Sequence, residues 1–297
     1  MTPQQPSPVA DTESGTAGSD APDKKASRAG RNLPAAIAVG AVLGAMAIGS
    51  LLFAPKWWFP LLAVAIAIAT HEVIRRLREH GYAMPTVPLL LGGQAMIWLA
   101  WPWGVAGTLG AYGATIVVAM VWRLLGHGLR EQPVNYLRDI AATVLLATWV
   151  PLFASFTVLL ILEDHGGARV FTVIATVVFA DIGGYIAGVL FGKHLMAPAI
   201  SPKKSWEGLG GSLLFGVTAA VLSVTFLLHK PAWVGLPLGL MLVITGVLGD
   251  LVESQVKRDL GIKDMGTLLP GHGGIMDRID AMLPSAVVGW IVLTLLA

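Results

Sequence analysis

The stretch from Ser254 to Asp280 reads SQVKRDLGIKDMGTLLPGHGGIMDRID, and it mixes cations, carboxylates and glycines at short range. Just upstream, Asp250, Glu253 and Lys257 follow i, i+3, i+7 spacing, which puts them on one face of a helix. Asp277 and Asp280 are again i, i+3. Two helix ends would thus present carboxylates toward a loop rich in Lys and Arg. Mg²⁺ is held in this manner, by one or two carboxylates with phosphate oxygens completing its octahedron. Gly271, Gly273 and Gly274 would let the backbone approach a phosphate closely, and His272 could donate to one of its oxygens. The competing reading is a solvated basic loop whose acids pair with its own cations. The glycines around His272 and the paired carboxylates at two helix ends weigh against it.

Two further groupings could carry chemistry. Ser201-Pro202-Lys203-Lys204-Ser205-Trp206-Glu207-Gly208 places two lysines and two hydroxyls just before an apolar run. They could hold a phosphate or anionic head group, although ordinary basic anchoring would look the same. Asp181 stands near the middle of an apolar run, followed by Gly183, Gly184, Tyr185 and Gly188. A carboxylate at that depth needs a cavity or a partner. It is therefore either functional or a hydrogen bond joining two helices, while Gly184 and Gly188 form a small-xxx-small pair for close packing. His71 and Glu72 beside Arg75 and Arg76 read as interfacial salt-bridge residues, as do Glu131 and Asp139.

The elements that position these residues must be membrane spans. The chain is 55% hydrophobic and 13% charged, with a mean hydropathy of +0.71, whereas soluble domains carry about 25% charged residues. Cys is absent, which excludes disulfides, thiolate nucleophiles and Cys-based metal sites, and no H-E-x-x-H appears. Nine apolar runs come near the roughly 20 residues a span requires: 33–54, 57–74, 85–103, 105–124, 139–162, 169–191, 210–229, 234–253 and 282–297. The fifth is interrupted by Pro151, and Pro102-Trp103-Gly104 predicts a tight turn between the third and fourth. With the N-terminus inside, 17 of the 20 Lys and Arg residues fall on the inner face; only Lys56, Arg169 and Lys230 fall outside. The expected fold is all-α and polytopic. Residues 1–32 form a disordered polar cytosolic tail, 33–165 the N-terminal transmembrane helices and 166–297 a C-terminal catalytic transmembrane region.

The residues Ser254-x2-Lys257-Arg258-x4-Lys263-Asp264-x-Gly266-x2-Leu269-Pro270-x-His272-Gly273-Gly274-x2-Asp277-Arg278-x-Asp280 resemble the signature of the phosphatidate cytidylyltransferases, also called CDP-diacylglycerol synthases. The segments 181–188 and 201–208 resemble the same family, with Gly184 where Ala is usual. The resemblance covers residues 178–297. It implies Mg²⁺-dependent transfer of a cytidylyl group from CTP to phosphatidic acid at the cytosolic face of the cell membrane, for phospholipid biosynthesis. It also implies a homodimer, with no nucleic-acid partner.

The expected site comprises Asp250, Asp277, Lys257, Arg278 and Asp280 as catalytic residues, with Asp250 and Asp277 holding Mg²⁺, alone or beside a second cation. Ser201, Lys203, Lys204, Ser205, Arg258, Lys263, His272, Gly273, Gly274 and Asp181 are the expected substrate contacts. Competing readings are a polyprenol kinase or CDP-archaeol synthase, an ion-coupled transporter, a CDP-alcohol phosphotransferase and a non-enzymatic scaffold. A transporter predicts internal symmetry and acids spread through several spans. A CDP-alcohol phosphotransferase predicts a D-G-x2-A-R-x8-G-x3-D-x3-D pattern that is absent. A scaffold leaves the Gly–His–carboxylate loop without a purpose.

Overall fold

The computed structural model describes residues 33–126, 129, 132, 134–268 and 273–296. The chain divides at Arg31/Asn32, and every described residue belongs to the second unit, Asn32–Ala297. The expected tail, and with it His272, lies outside the described residues.

The described residues are predominantly helical, as an apolar chain in lipid requires. In order come α1 (Leu33–Phe53), α2 (Trp58–Glu79), α3 (Thr86–Trp98), α4 (Ala100–Leu125), α5 (Tyr136–Ala147), α6 (Phe153–Ile161) and α7 (Gly166–Phe191). A short hairpin of β1 (Leu195–Ala197) and β2 (Ser201–Ser205) follows. Then come α8 (Trp206–Phe226), α9 (Ala232–Asp259), α10 (Met276–Ile279) and α11 (Met282–Leu296). Among the described residues, seven helical stretches are long and apolar enough to cross a membrane: Pro55–Glu79, Ala100–Leu125, Tyr136–Ile161, Gly166–Phe191, Trp206–Phe226, Ala232–Asp259 and Met276–Leu296. Large apolar side chains such as Val64, Leu91, Val117, Leu222 and Leu240 are exposed on their outer faces, where lipid is the solvent. α3 has 13 residues and reaches only about 20 Å at 1.5 Å per residue.

Pro151 interrupts the fifth span as expected without ending it: the chain passes through a π-helical turn, Thr148–Leu152, that links α5 to α6. A widened turn accommodates the missing proline N–H without breaking the helix. The turn between α3 and α4 comes earlier than Pro102: α3 ends at Trp98, and α4 starts at Ala100 with Pro102 in its first turn, where no N–H is needed. Gly104 then kinks α4 with φ 54°, a conformation open to glycine.

Small residues set the closest helix packing. A Cβ at Gly183 would lie 2.5 Å from the Gly211 carbonyl oxygen, so α7 and α8 touch along their backbones. At Gly184 it would overlap the Ser212 hydroxyl, so this glycine does face α8 as its spacing predicts. At Gly249 it would lie 2.7 Å from Pro284, which brings α9 against α11. One apolar core runs through both halves of the chain, with Phe59, Ile66, Leu146, Leu160, Leu238 and Leu242 fully buried.

The polar contacts sort to the two ends of the bundle. At one end Arg138 donates to the Gly81 carbonyl, Arg123 pairs with Asp139 at 2.8 Å, and Arg258 donates to the Ile200 carbonyl at 3.3 Å. At the other, Trp58 donates to Thr157 at 3.1 Å and Arg169 to the Leu293 carbonyl at 3.2 Å. Asp139 is therefore part of a buried pair rather than an interfacial one.

Candidate active site

α9 continues to Asp259, six residues past its expected end, so Asp250, Glu253, Lys257 and Arg258 all ride on one rigid helix. Their spacing turns the first three toward the same side. Lys257 donates to the carboxylate of Glu253, one helical turn back, and at 3.1 Å to Oδ1 of Asp277. Glu253 is fully buried. A charge so placed requires a paired cation, and Lys257 supplies it.

Asp277 opens α10, and its side chain is 3% exposed. Both its oxygens accept from the Met265 N–H at 3.0 Å. Oδ2 also accepts from Gly274 at 2.8 Å and Gly266 at 3.4 Å. Asp277 thus ties the two described arms of the glycine-rich loop together and anchors them to α9 through Lys257. Gly273 has φ 79°, and a Cβ there would lie 2.9 Å from the Asp277 carboxylate. Only glycine permits that turn.

The hairpin delivers the second basic segment. β1 pairs with β2 antiparallel, Leu195 opposite Ser205 and Ala197 opposite Ser201. Lys204 thereby reaches Asp250 at 2.7 Å, while Ser254 donates to the other Asp250 oxygen at 3.2 Å. Lys203 is exposed beside it. The Ser205 hydroxyl is buried and caps α8 by accepting from the Gly208 N–H at 3.1 Å. Ser201 is half-buried in β2. Lys263 and Arg278 are exposed at the same end.

Asp181 on α7 is exposed and lies within electrostatic range of Asp280, Asp250 and Lys204; Asp280 lies beside Glu253 and Asp250. Four elements thus converge: α7 with Asp181, the hairpin with Lys204, α9 with Asp250, Glu253 and Lys257, and the final helices with Asp277 and Asp280. Five carboxyl groups thus meet two paired lysines, a set of hard oxygen donors of the kind a divalent cation uses. No group of three His, Asp or Glu among the described residues is close enough to hold a metal alone. The donor set therefore fits Mg²⁺ only with substrate phosphates supplying further oxygens. Asp250, 39% exposed, can turn an oxygen to such an ion by releasing Lys204. Asp277 can do so by exchanging Lys257.

Glu72, expected to be an interfacial ion-pair residue, is placed differently. Arg75 and Arg76 both pair with Glu79, each at 2.9 Å. Glu72 is 8% exposed, points into the bundle and accepts from the Met276 N–H at 3.0 Å. Arg76 donates to the Met265 carbonyl at 3.0 Å. The only sequence hint was that Glu79, at i+3 and i+4 from these arginines, offers them another partner.

Fold and site together define a polytopic membrane protein with a cluster of acids and lysines drawn from α7, the hairpin, α9 and the segment around α10. A model of the cytidylyltransferase family matches residues 34–296, and the chain belongs to that family. It is 58% identical to a phosphatidate cytidylyltransferase of Mycobacterium leprae, over 92% of this chain and 91% of the relative. It is 56% identical to one of Mycobacterium bovis, over 93% and 92%. A Synechocystis enzyme of the same name is 49% identical over 36% of each chain.

Proposed function

We propose that this chain transfers the cytidylyl group of CTP to phosphatidate, giving CDP-diacylglycerol and pyrophosphate. The observation that carries this reading is the junction of Lys257, Asp277 and the Lys204–Asp250 pair at one end of the bundle, in a chain 58% identical over 92% of its length to a phosphatidate cytidylyltransferase. In this reaction a phosphate oxygen of phosphatidate attacks the α-phosphorus of CTP. The bond from that phosphorus to the bridging oxygen of pyrophosphate breaks.

The nucleophile is already anionic at neutral pH, so no strong general base is required. The difficulty is that one polyanion must approach another, and catalysis is mainly charge neutralisation and alignment. Lys203, Lys204, Arg258, Lys263 and Arg278 supply positive charge at the mouth of the site, with Ser201 and His272 as further phosphate donors. Ser205 contributes by starting α8 where it does. The turn at Gly273 and Gly274 brings backbone close to the phosphates. Lys257 holds Asp277, and Asp181 and Asp280 border the cluster. Mg²⁺, held by Asp250 and Asp277 and alone or with a second cation, supplies neutralisation of the triphosphate and of the pyrophosphate leaving group.

A site at helix ends lets the lipid enter from the bilayer and the nucleotide from water. The basic residues favour nine spans and a cytosolic active site, because in that arrangement of the sequence only Lys56, Arg169 and Lys230 fall in outer loops. A cell-membrane location and a homodimer follow from the same family reading.

The label position in CTP tests the reaction. With α-³²P-CTP and phosphatidate in vesicles, label is expected in the chloroform-soluble product. A kinase would instead move γ-³²P into lipid, and that outcome would replace this reading.

A further inference from the structure

We infer that Glu72, on α2 and outside the signature segments, is a positioning residue for this reaction: its carboxylate fixes the glycine-rich loop from behind while Asp277 fixes it from the front. The inference rests on the proposed cytidylyl transfer. Four observations on the two described arms of the loop meet at this carboxylate. Oε2 accepts from the Met276 N–H at 3.0 Å, one residue before Asp277. A Cβ added at Gly266 or at Gly274 would run into the Glu72 carboxylate, so both arms pass it with hydrogens alone facing it. The N–H groups of these same two glycines point the other way, to Asp277. One turn further along α2, Arg76 donates to the Met265 carbonyl at 3.0 Å, and the Met265 N–H goes to Asp277.

The two described arms of the loop are therefore clamped between two carboxylates. The front one faces Lys257, and the rear one comes from a helix more than 180 residues earlier in the chain. Oε1 of Glu72 is buried without a hydrogen-bond partner among the described residues. A side chain kept only for packing or for pairing would not leave a carboxylate oxygen unsatisfied. Its basic neighbours make no ion pair with it among the described residues: His71, Arg75 and Arg76 line the adjacent cavity of about 490 Å³, and both arginines are engaged by Glu79. The clamp gives the N-terminal half of the chain a part in the chemistry. A loop displaced by even about 1 Å would misalign Asp277 and Lys257, at a cost of about 100-fold in rate.

The test uses the full-length chain in vesicles containing phosphatidate. Glu72→Ala is expected to lower kcat by about 10–100-fold, the range for groups that orient a reacting shell, with KM for CTP within about threefold. Glu72→Gln, whose carboxamide oxygen can still accept from Met276, should recover most of that loss. Gly274→Ala, which pushes a methyl group into the clamp, should reproduce the loss even if Glu72→Ala fails to fold. Loop position is read independently of activity in this cysteine-free chain. A thiol placed by Met265→Cys, at a position now 1% exposed, should be inert to maleimide beside Glu72 and reactive beside Glu72→Ala. Wild-type kcat in folded Glu72→Ala or Gly274→Ala protein would overturn the inference, as would an inert thiol in the Glu72→Ala background or a Glu72→Gln variant as impaired as Glu72→Ala. If the unaltered chain makes no CDP-diacylglycerol, the functional reading fails, and maleimide labelling alone then decides whether the clamp exists.

Discussion

Asp277 accepts from three backbone N–H groups and from Lys257 while almost fully buried. Lys257 in turn is the cation between Asp277 and the buried Glu253. Lys257→Met leaves two carboxylates without their counter-charge, and removing one partner from a buried pair costs about 3–5 kcal/mol. The variant should unfold at distinctly lower temperature in detergent, and an unchanged melting curve would show that the two acids are not ionised together. Asp277→Asn should lose both stability and turnover. At this scale the sequence was informative where helical spacing governs. Asp250, Glu253 and Lys257 could be placed on one face from i, i+3, i+7 alone. The same rule misled at Glu72, because Arg75 and Arg76 chose Glu79. Only tertiary contact reveals that Glu72 faces Gly266 and Gly274, since nothing local distinguishes a glycine that borders a carboxylate from one that makes a turn.

At the scale of elements, the helices bring Asp181 to the cluster through the contact of α7 with α8. Gly183→Val would drive a branched side chain into the Gly211 carbonyl and Phe215, both under 3 Å from the added Cβ. The two helices must separate, and Asp181 moves with α7. The expected result is a loss of activity in protein that still inserts into the membrane; full activity would mean that the α7–α8 contact does not set the site. The buried Arg123–Asp139 pair makes a similar case away from the site. Asp139→Leu alone should cost about 3–5 kcal/mol, and the double variant with Arg123→Met should recover much of it. A thermal-shift double-mutant cycle reads the difference. Helices were legible from hydropathy because lipid allows little else. The β1–β2 hairpin was not, since Ser201-Pro202-Lys203-Lys204-Ser205 lacks apolar alternation and holds its shape through the Asp250 and Arg258 contacts.

For the whole molecule, the charge census makes a sidedness claim that labelling can check. In intact cells an impermeant maleimide should reach the thiol of Lys230→Cys, at the end remote from the cluster, but reach that of Lys203→Cys only after permeabilisation. The reverse pattern would invert the chain. The carboxyl oxygens gathered at the cluster, together with a triphosphate substrate, predict dependence on a divalent ion, with chelation abolishing turnover and added Mg²⁺ restoring it. Hydropathy could not reveal that α3 is a short helix or that Pro151 is absorbed by a π-turn, because both depend on which neighbours take up the freed backbone groups. The central claim is that the cluster joining α9 to the loop before α10 and α11 performs cytidylyl transfer. Its most direct test is Mg²⁺-dependent formation of CDP-diacylglycerol from CTP and phosphatidate by Asp250→Asn and Asp277→Asn beside the unaltered chain. The account predicts activity in the unaltered chain and a fall of about 100-fold or more in each variant. Near-normal turnover in both folded variants would contradict it.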